Sequence, residues 1–446
     1  MGACQSRELQ PLKLNQRFSH CATRYRFSVF VNQWDFFMKT DVQVAVIGGG
    51  IVGASMLYWL TKLGWTDSVL LERRELTSGS TWHAAGNTTY FGPYAEMTRL
   101  FAGSIRTYLQ AEADSGQSIG FHQTGSLRVA TSTRERRLFE QFEARYRALG
   151  IPYQVVDNEV IKQLHPCLFT DGLFGAAHTP TDGHVDPVST TNALAIAARQ
   201  TGSEVMRHTP VKQLSRDGKA WVLETPTATV RAQYVVVAAS FWTRELLAPL
   251  GINVPLYASE HHELITDSIP QLVAHEGEVP AYRDSWVSCS VRQEGQGLLA
   301  GIYETDPVFW ALDGIPPNFK EELLPPNIDR LLPHLEKLTE RLPGFADAGI
   351  KTINNGPMCW TPDGLPMLGP LAHHPGLWLA SGFNVGIGTG GGSAEFLAHW
   401  MVNGQPHFEL PIVHADRFGN DITRDMAVES IKACYRQGYK LPDTIR

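Results

Sequence analysis

Four glycines close to the start of the chain have a spacing that is typical of phosphate-binding turns. They lie in the sequence GGGIVG at 48–53, directly after the β-branched segment 42–47, which predicts a short buried parallel strand. In this GxGxxG spacing Gly48 permits a tight turn, Gly50 lets a diphosphate approach the backbone, and Gly53 lets the next helix pack closely on the strand. The turn therefore predicts a site for a dinucleotide.

The segments that follow the glycines fit the same interpretation. A predicted helix at 54–63 would direct its free N–H groups and partial positive charge toward the phosphates. A second strand, at 68–71, ends in Glu72 at the distance where an acidic residue receives the ribose hydroxyls. The order of strand, glycines, helix, strand and acid predicts dinucleotide binding, and a purely structural glycine turn is the alternative.

A small, polar segment follows Glu72 and interrupts what would otherwise be a plain alternating fold. Its sequence, TSGSTWHAAG at 77–86, could line an extended cofactor. The glycines alone do not distinguish FAD from a nicotinamide nucleotide. The choice between these cofactors therefore depends on this second segment.

At 77–86 the sequence resembles the dimethylglycine and sarcosine dehydrogenase family, within the group of D-amino-acid-oxidase-like flavoenzymes. The resemblance continues in order and spacing through most of the chain. Its motifs are GFHQTGSL at 120–127, DGHVDP at 182–187, NGP at 355–357, TPDGLPMLGP at 361–370, and GFN at 382–384 leading to the glycines 390–392. The resemblance implies an α/β fold, with a Rossmann-like FAD-binding domain and a second, mostly antiparallel β substrate domain of the glutathione-reductase and D-amino-acid-oxidase type. It also implies FAD as the cofactor.

The resemblance gives His83 a specific role. In the family the histidine of the TWHAAG segment is bonded through its ring to the 8α carbon of the flavin, and His83 occupies that position. Covalent FAD is therefore expected. A neutral imidazole is a competent nucleophile near neutral pH and can attack the flavin once its methyl group has lost a proton. A hydrogen-bonded histidine of the core is the alternative.

Near the other end of the chain, a strand at 377–381, a glycine-rich turn at 382–392 and a helix at 393–401 are predicted. In the fold that the sequence resembles, this helix directs its N-terminus at the pyrimidine edge of the flavin, where the reduced form carries negative charge. A purely structural turn is the alternative. The residues expected to bind the cofactor are Gly48, Gly50, Val52, Gly53, Glu72, Arg73, Ser80, Thr81, His83, Val211, Gly382, Gly388 and Thr389.

The material between these motifs predicts two discontinuous domains. Segments at 127–131, 256–267 and 286–301 alternate apolar and polar residues, as strands with one covered face do, and favour an antiparallel substrate sheet over the flavin. A helix at 190–201 and a buried strand at 234–238 would return the chain to the FAD-binding domain. The expected division is an N-terminal extension at 1–40, an FAD-binding domain at 41–120, 180–245 and 350–415, a substrate domain at 121–179 and 246–349, and a C-terminal tail at 416–446.

The reaction implied by the resemblance is oxidation of a carbon–nitrogen bond in a small N-methylated amino acid or a related secondary or tertiary amine. A hydride equivalent would pass from the carbon beside nitrogen to the flavin, and water would hydrolyse the resulting iminium. An N-methyl donor would thus release formaldehyde. The protein must deliver a neutral amine and exclude water from the flavin face.

Three residues are candidates for this chemistry. Family members commonly have His-Gln-Tyr where this chain has His261, His262 and Glu263, so a carboxylate replaces an aromatic hydroxyl and favours a more cationic substrate. A solvated edge strand is the alternative. Arg292 matches an arginine of the family pattern and could pair with a carboxylate, with a surface ion pair as the alternative. The expected catalytic residues are His261, Glu263 and Arg292.

The composition argues against several other classes of protein. The chain has 446 residues and a formal net charge of −7 with both signs scattered, so a nucleic acid partner is not expected. Its six cysteines show no metal-ligand spacing, which predicts no metal site and favours a reducing compartment. The apolar segment 44–63 has roughly the length of a membrane span, but its glycines argue against one.

The first 37 residues differ in composition from the rest. They are rich in arginine and polar residues and poor in acids. They fit a mitochondrial presequence, an over-extended start with Met38 as the true initiator, or a myristoylated anchor. A cytoplasmic location is expected, with the mitochondrial matrix as the alternative if 1–37 are a presequence.

The length of the chain raises the question of partners. The well-known demethylating dehydrogenases carry a second, folate-binding half, whereas this chain stops soon after residue 419, and 427–439 resembles the connector into that half. The expected partners are the amine substrate, an electron acceptor (oxygen, a quinone-linked carrier or an electron-transfer flavoprotein) and a separate folate-binding subunit. The alternative function is a non-catalytic regulatory or partner subunit of the same architecture.

Overall fold

The structure, a computed structural model, describes residues 40–92, 94–419 and 421–441. The extension predicted at 1–40 lies outside these residues except for its last position, and so does the choice among presequence, start site and anchor. Segment 44–63 forms a strand and a helix rather than one continuous helix. None of the helices in the described ranges has both the length and the apolar character needed to cross a bilayer.

Strands and helices alternate along the described ranges. The strands are β1 Asp41–Ile47, β2 Ser68–Leu71, β3 Asn87–Thr88, β4 Ser126–Val129, β5 Gln154–Val156, β6 Ala176–Thr179, β7 Gly183–His184, β8 Glu204–Met206, β9 Gln213–Asp217, β10 Ala220–Glu224, β11 Thr229–Val237, β12 Tyr257–Thr266, β13 Ala281–Asp284, β14 Cys289–Glu294, β15 Gly297–Ile302, β16 Phe309–Trp310, β17 Ile350–Trp360, β18 Met367–Pro370 and β19 Leu377–Ser381. The α-helices are α1 Ile51–Lys62, α2 Ala95–Ser115, α3 Thr133–Ala148, α4 Asn158–Leu164, α5 Pro187–Gln200, α6 Thr243–Leu247, α7 Pro270–Val273, α8 Leu332–Arg341, α9 Pro343–Ala346, α10 Gly386–Asn403 and α11 Arg424–Gln437.

The first sheet has a parallel centre made of covered, β-branched strands. Its order is β18-β19-β11-β1-β2-β8, in which the pairs from β19 to β8 are parallel and β18 is antiparallel. Strands β10 and β9 add to β11 as an antiparallel flap. Val44 and Val46 of β1 share one buried core with Leu57 of α1, Leu194 of α5 and Leu397 of α10. Burial of each such side chain contributes roughly 1.5–3 kcal/mol, so these helices hold one face of the sheet.

The second sheet is mostly antiparallel. Its order is β16-β12-β15-β14-β13-β4-β6-β5, with β17 also paired to β12, and only the β13–β4 pair is parallel. Alternation along β12 puts Leu264 into a buried core on one face and Glu263 on the other face. The predicted α/β fold, with a Rossmann-like sheet and a mostly antiparallel second sheet, is confirmed.

Two helices begin earlier than the sequence predicted. Helix α1 begins at Ile51 instead of 54, directly behind the glycine turn. The predicted glycine-rich turn at 382–392 is wrong over most of its length, because α10 begins at Gly386 and includes the glycines up to 392. Packing against α2 explains the difference, since a Cβ on Gly392 would lie 2.0 Å from the carbonyl oxygen of Leu100. Tertiary contact here overrides the low helix propensity of glycine.

The predicted domain ranges stay a prediction, with one observation that bears on them. Strand β17 falls within 350–415, the third predicted segment of the FAD-binding domain, yet it pairs with β12 along nearly its whole length in the second sheet. The chain returns to the first sheet only at β18 and β19. A division drawn from strand pairing would therefore begin that segment after residue 360.

We expect Gly392→Ala to lower the free energy of unfolding by about 1–3 kcal/mol, because the added methyl group must displace the α2 backbone. Gly386→Ala is the matched control on the same helix, since its Cβ would meet Ile51 Cγ2 and Phe383 Cβ, each at 3.7 Å, which are ordinary contacts. Denaturant unfolding of both variants measures the difference. Equal stability of the two variants would contradict this account of the α2–α10 contact.

Candidate active site

One cavity of about 930 Å³ is lined from both sheets. Its first wall comes from the carboxyl ends of β1, β2 and β11 and from the N-terminus of α1, and its second wall comes from the face of β12 that carries Glu263. Ligand cavities commonly measure about 300–1,000 Å³, so this one is at the large end of that range. Switch points at the carboxyl edge of parallel strands are where open α/β sheets bind ligands.

The glycine turn fixes the close approach of α1 to the sheet. Gly48 has φ +111°, and a Cβ there would lie 2.4 Å from the carbonyl oxygen of Ala238, the residue that follows β11. A Cβ on Gly53 would lie 1.9 Å from the carbonyl oxygen of Gly48. Gly48, Gly50 and Val52 line the cavity, whereas Gly53 does not. Gly53 therefore serves the packing of helix on strand, and the other three face the ligand space.

Glu72 stands at the end of β2 beside this turn. Its carboxylate accepts hydrogen bonds from the backbone N–H of Gly49 at 2.6 Å and of Arg74 at 2.8 Å. Burial raises the pKa of Glu72, and these two N–H groups oppose the shift. Arg73 also lines the cavity, with its guanidinium 4.9 Å from the ring centroid of Trp242. Val211 lines the same region.

The segment 77–86 connects the turn to the second sheet. Thr81 Oγ1 accepts a hydrogen bond from Ile51 N, the first N–H of α1, at 3.1 Å. Ser80 Oγ donates to the carbonyl of Pro357 on β17 at 2.9 Å. Both side chains line the cavity. The segment thus holds the helix N-terminus and β17 in one arrangement.

His83 is a half-buried, neutral imidazole whose buried Nε2 has no hydrogen-bond partner. Burial lowers the pKa of His83 to about 4, so the ring is uncharged at neutral pH. Its ring lies against the backbone of Gly356, where a Cβ would come within 2.3 Å of His83 Cε1. Only a glycine at 356 leaves room for this ring. The unpaired Nε2 lies in the cavity wall and is available to a ligand.

His261 and Glu263 alternate along β12 and both face the cavity, whereas His262 lies on the opposite face. Burial lowers the pKa of His261 to about 4, and its buried Nδ1 has no partner. Burial raises the pKa of Glu263 to about 7, against the effect of Arg292 and the backbone N–H of Ala85. The two predicted side chains therefore lie together, with a carboxyl group that can change its protonation state near neutral pH.

Arg292 does not line the cavity, although the sequence predicted it as a ligand for a substrate carboxylate. Its Nε donates to the carbonyl of Ala85 at 2.8 Å, and its Nη1 pairs with Glu294 at 2.7 Å. These contacts engage the guanidinium behind the segment that carries His83. The geometry supports a positioning contact instead of substrate binding, and it includes the ion pair that was the alternative.

Among the predicted cofactor residues near α10, only Gly388 lines the cavity. Gly382 lies behind it, where a Cβ would meet Thr361 Cγ2 at 2.4 Å, and Thr389 Oγ1 donates to the carbonyl of Val385 within the helix. The N-terminus of α10 nevertheless reaches the cavity, since Gly386 lines it too. The start of α10 thus lies at the cavity, and the direction of this helix toward the pyrimidine edge of a flavin stays a prediction.

Sequence reasoning missed two groups of lining residues. Arg128 and Arg283 face the cavity from β4 and β13. A signal for the first was a lone arginine within the apolar run of a predicted strand. The C-terminal tail also contributes to the lining, through Ala433, Cys434, Gln437, Gly438, Tyr439, Lys440 and Leu441.

Comparison with known proteins defines the class. Residues 43–400 match the family described as FAD dependent oxidoreductase, and the chain belongs to this family. Its similarity to dimethylglycine dehydrogenase of Mus musculus, a mitochondrial protein, is 38% identity over 89% of this chain and 46% of the relative. To 4-methylaminobutanoate oxidase (formaldehyde-forming) of Paenarthrobacter nicotinovorans it is 34% identical, over 85% of this chain and 46% of the relative. The resemblance found in the sequence motifs is thus confirmed.

The chain spans less than half the length of these two relatives. Among solved structures, L-proline dehydrogenase from P. horikoshii superposes with a TM-score of 0.74 at 22% identity, over 85% of this chain and 98% of that chain. At this identity the likeness shows the fold alone. The described residues therefore share the fold of that L-proline dehydrogenase.

The cavity residues fit FAD. A dinucleotide needs a turn that admits its diphosphate and an acid for its ribose, and Gly48, Gly50 and Glu72 lie together at the carboxyl edge of the parallel sheet. The larger part of the cavity extends beyond them to the second sheet. There the ring of His83, with its unpaired Nε2, packs against Gly356 at the edge of the cavity.

We expect Glu263→Gln to stabilise the protein in a pH-dependent manner. The folded-state pKa of about 7 lies above the ordinary value of 4.5, so ionisation of Glu263 opposes folding increasingly as pH rises between these values. The stability gain of the variant should be near zero at pH 4.5, grow to pH 7 and level off above, at about 3 kcal/mol or less. Urea unfolding from pH 4.5 to 8.5 measures it.

Glu276→Gln is the control for this measurement, because Glu276 is an exposed carboxylate. Its difference from the wild type should show no step near pH 7. A Glu263→Gln difference that is constant over the whole range would contradict the raised pKa.

Proposed function

We propose that the protein is an enzyme that uses FAD to oxidise the carbon–nitrogen bond of a small N-methylated amino acid or related amine. The proposal depends on one observation: the glycine turn, His83 and Glu263 all line the same cavity. His83 has an unpaired Nε2, and the Glu263 carboxyl group has a pKa of about 7. The similarity to dimethylglycine dehydrogenase and to 4-methylaminobutanoate oxidase supports the substrate class.

Bound FAD supplies the acceptor for a hydride equivalent from the carbon beside the amine nitrogen. The chain must supply the amine in its neutral form, because a protonated nitrogen has no electron pair to assist the transfer. Glu263 suits this task, since a carboxylate with a pKa of about 7 can take the ammonium proton onto its oxygen near neutral pH. The neutral His261 beside it adds a polar contact without adding charge.

The cavity wall on the second sheet is suited to excluding water. Tyr303 is 7% exposed and Trp360 is 3% exposed, and both line the cavity. The ring of Tyr303 lies 4.9 Å from that of His261. Aromatic walls strengthen each polar interaction in the cavity and keep water from competing with the amine.

We also propose that FAD is attached covalently through His83. The support is the uncharged ring, its unpaired Nε2 and the close packing of the ring on Gly356, which holds the imidazole at the cavity. The electron acceptor (oxygen, a quinone-linked carrier or an electron-transfer flavoprotein) and a separate folate-binding subunit belong to the same proposal. The acceptor and the subunit both follow from the family resemblance. The rate at which each acceptor reoxidises the reduced flavin would rank the three acceptors.

Attachment predicts that the acid-precipitated wild-type polypeptide is heavier by one FAD and stays yellow. His83→Ala should give the mass of the bare polypeptide and release its flavin into the supernatant. His373→Ala, at an exposed histidine, is the control and should keep the flavin. Intact-protein mass spectrometry measures all three proteins, and a wild type with the bare mass would refute the covalent link.

Catalysis predicts that anaerobic addition of dimethylglycine, sarcosine or 4-methylaminobutanoate bleaches the flavin absorbance. Trimethylglycine is the chemical control, because its quaternary nitrogen has no electron pair at any pH and should leave the spectrum unreduced. Stopped-flow spectra give the rates. If none of the methylated amines bleaches the flavin, the non-catalytic subunit becomes the better assignment.

A further inference from the structure

One face of the second sheet carries a row of side chains that the proposed chemistry uses only at one end. Glu263 of β12 pairs with Gly301 of β15, which pairs with Ser290 of β14. Ser290 pairs in turn with Arg283 of β13, and Arg283 pairs with Arg128 of β4. Directly paired residues project from the same face of a sheet. The row therefore follows the cavity wall, and its four side chains line the cavity.

The far end of the row holds two guanidinium groups with little access to solvent. Arg283 is 7% exposed, and the guanidinium of Arg128 lies 4.0 Å from the ring centroid of Phe91. Burial, together with the charge of Arg283, lowers the pKa of Arg128 to about 10. Two like charges in a poorly solvated region are unfavourable unless an anion joins them.

No acidic residue in the described ranges lies at ion-pair distance from either arginine. Arg128 donates from Nη1 to the carbonyl of Tyr439 at 3.3 Å, and its buried Nε has no partner. Asp182 attracts Arg283 from a distance, but its own oxygens are already occupied. They accept hydrogen bonds from Ser126 Oγ, Thr89 Oγ1 and Tyr90 N. The arginine pair thus has free donors and a net attraction for an anion in the cavity.

Two strands, β15 and β14, lie between the strands of Glu263 and Arg283. With neighbouring strands about 4.8 Å apart, the backbones of these two residues are three spacings, or about 14 Å, apart. The nitrogen and the carboxylate of an α-amino acid are joined through one carbon, so a longer ligand suits this separation better. The residues between the ends, Gly301 and Ser290, are small and leave room along the wall.

We propose that Arg128 and Arg283 bind the carboxylate of the substrate, and that a carbon chain separates this carboxylate from the methylated amine. The inference rests on the proposed function, which assigns the amine to the Glu263 end of the row. Paired guanidinium groups are well matched to a carboxylate, because each offers a planar fork of N–H donors. Tyr439 of the C-terminal tail closes this end of the cavity over the pair.

Binding of a non-reactive analogue tests the arginine pair. Hexanoate has the skeleton of 4-methylaminobutanoate with CH₂ in place of NH, and hexanamide is its uncharged counterpart. Titration calorimetry on the FAD-loaded protein should show Arg128→Gln and Arg283→Gln binding hexanoate about tenfold or more weakly, with hexanamide within about twofold of the wild type. The control Arg424→Gln removes an exposed arginine outside the cavity and should change neither affinity.

Arg283→Lys guards against loss of folding as an explanation. It keeps the charge but loses the fork, so hexanoate affinity should fall between that of the wild type and that of Arg283→Gln. Thermal unfolding of the glutamine variants should show no loss of stability, because each removes one of two buried like charges. Hexanoate affinity equal to that of the wild type in both glutamine variants would overturn the proposal.

Turnover of a homologous series tests the chain length. The kcat/KM for anaerobic flavin reduction should rise from sarcosine through 3-methylaminopropanoate to 4-methylaminobutanoate, and the fastest turnover with sarcosine would overturn the separated carboxylate. If no amine reduces the flavin while hexanoate still depends on both arginines, the carboxylate site stands and the proposed function fails. If amines reduce the flavin while the affinity for hexanoate is the same with and without each arginine, the function stands and the carboxylate site fails.

Discussion

The close approach of α1 to the parallel sheet is the contact on which the remaining architecture depends. Neither Gly48 nor Gly53 has room for a Cβ, since backbone carbonyl oxygens lie within 2.4 Å of where it would be. This contact brings the first N–H groups of α1 to the cavity edge, where Thr81 accepts one of them. Because Thr81 belongs to the segment that carries His83, the position of the imidazole follows from the position of the helix.

Burial then determines the protonation states around the cavity. The same desolvation lowers the pKa of His83 and His261 and raises that of Glu263, so all three groups are uncharged at slightly acidic pH. The charge that remains at that end of the second sheet is small. The other end of the row carries the guanidinium groups of Arg128 and Arg283. The cavity is therefore polarised along the row, which crosses the strands from β12 to β4. This polarity orients any ligand that carries an amine and a carboxylate.

The sequence was sufficient for features that depend on local spacing. The glycine turn, Glu72 and the alternating face of β12 are each encoded within a few residues, whereas the full fold class was implied by the resemblance of motifs along the chain to a known family. The start of α10 was not, because its glycines become helical only where α2 packs against Gly392. The pairing of Arg128 with Arg283 joins strands far apart in the chain, and neither strand alone indicates it. The role of Arg292 was inferred from a family position, whereas its direction is set by Ala85.

The two sheets contribute different kinds of groups to the cavity. On the first sheet, the cavity is bordered by the glycine turn, whose backbone changes position only if the fold changes. On the second sheet, it is formed by side chains in register, such as Ser290 between Glu263 and Arg283. A substitution in that row changes charge or length along the wall without disturbing strand pairing, because the altered atoms face the cavity. The arrangement therefore allows the substrate to vary while the cofactor site stays constant.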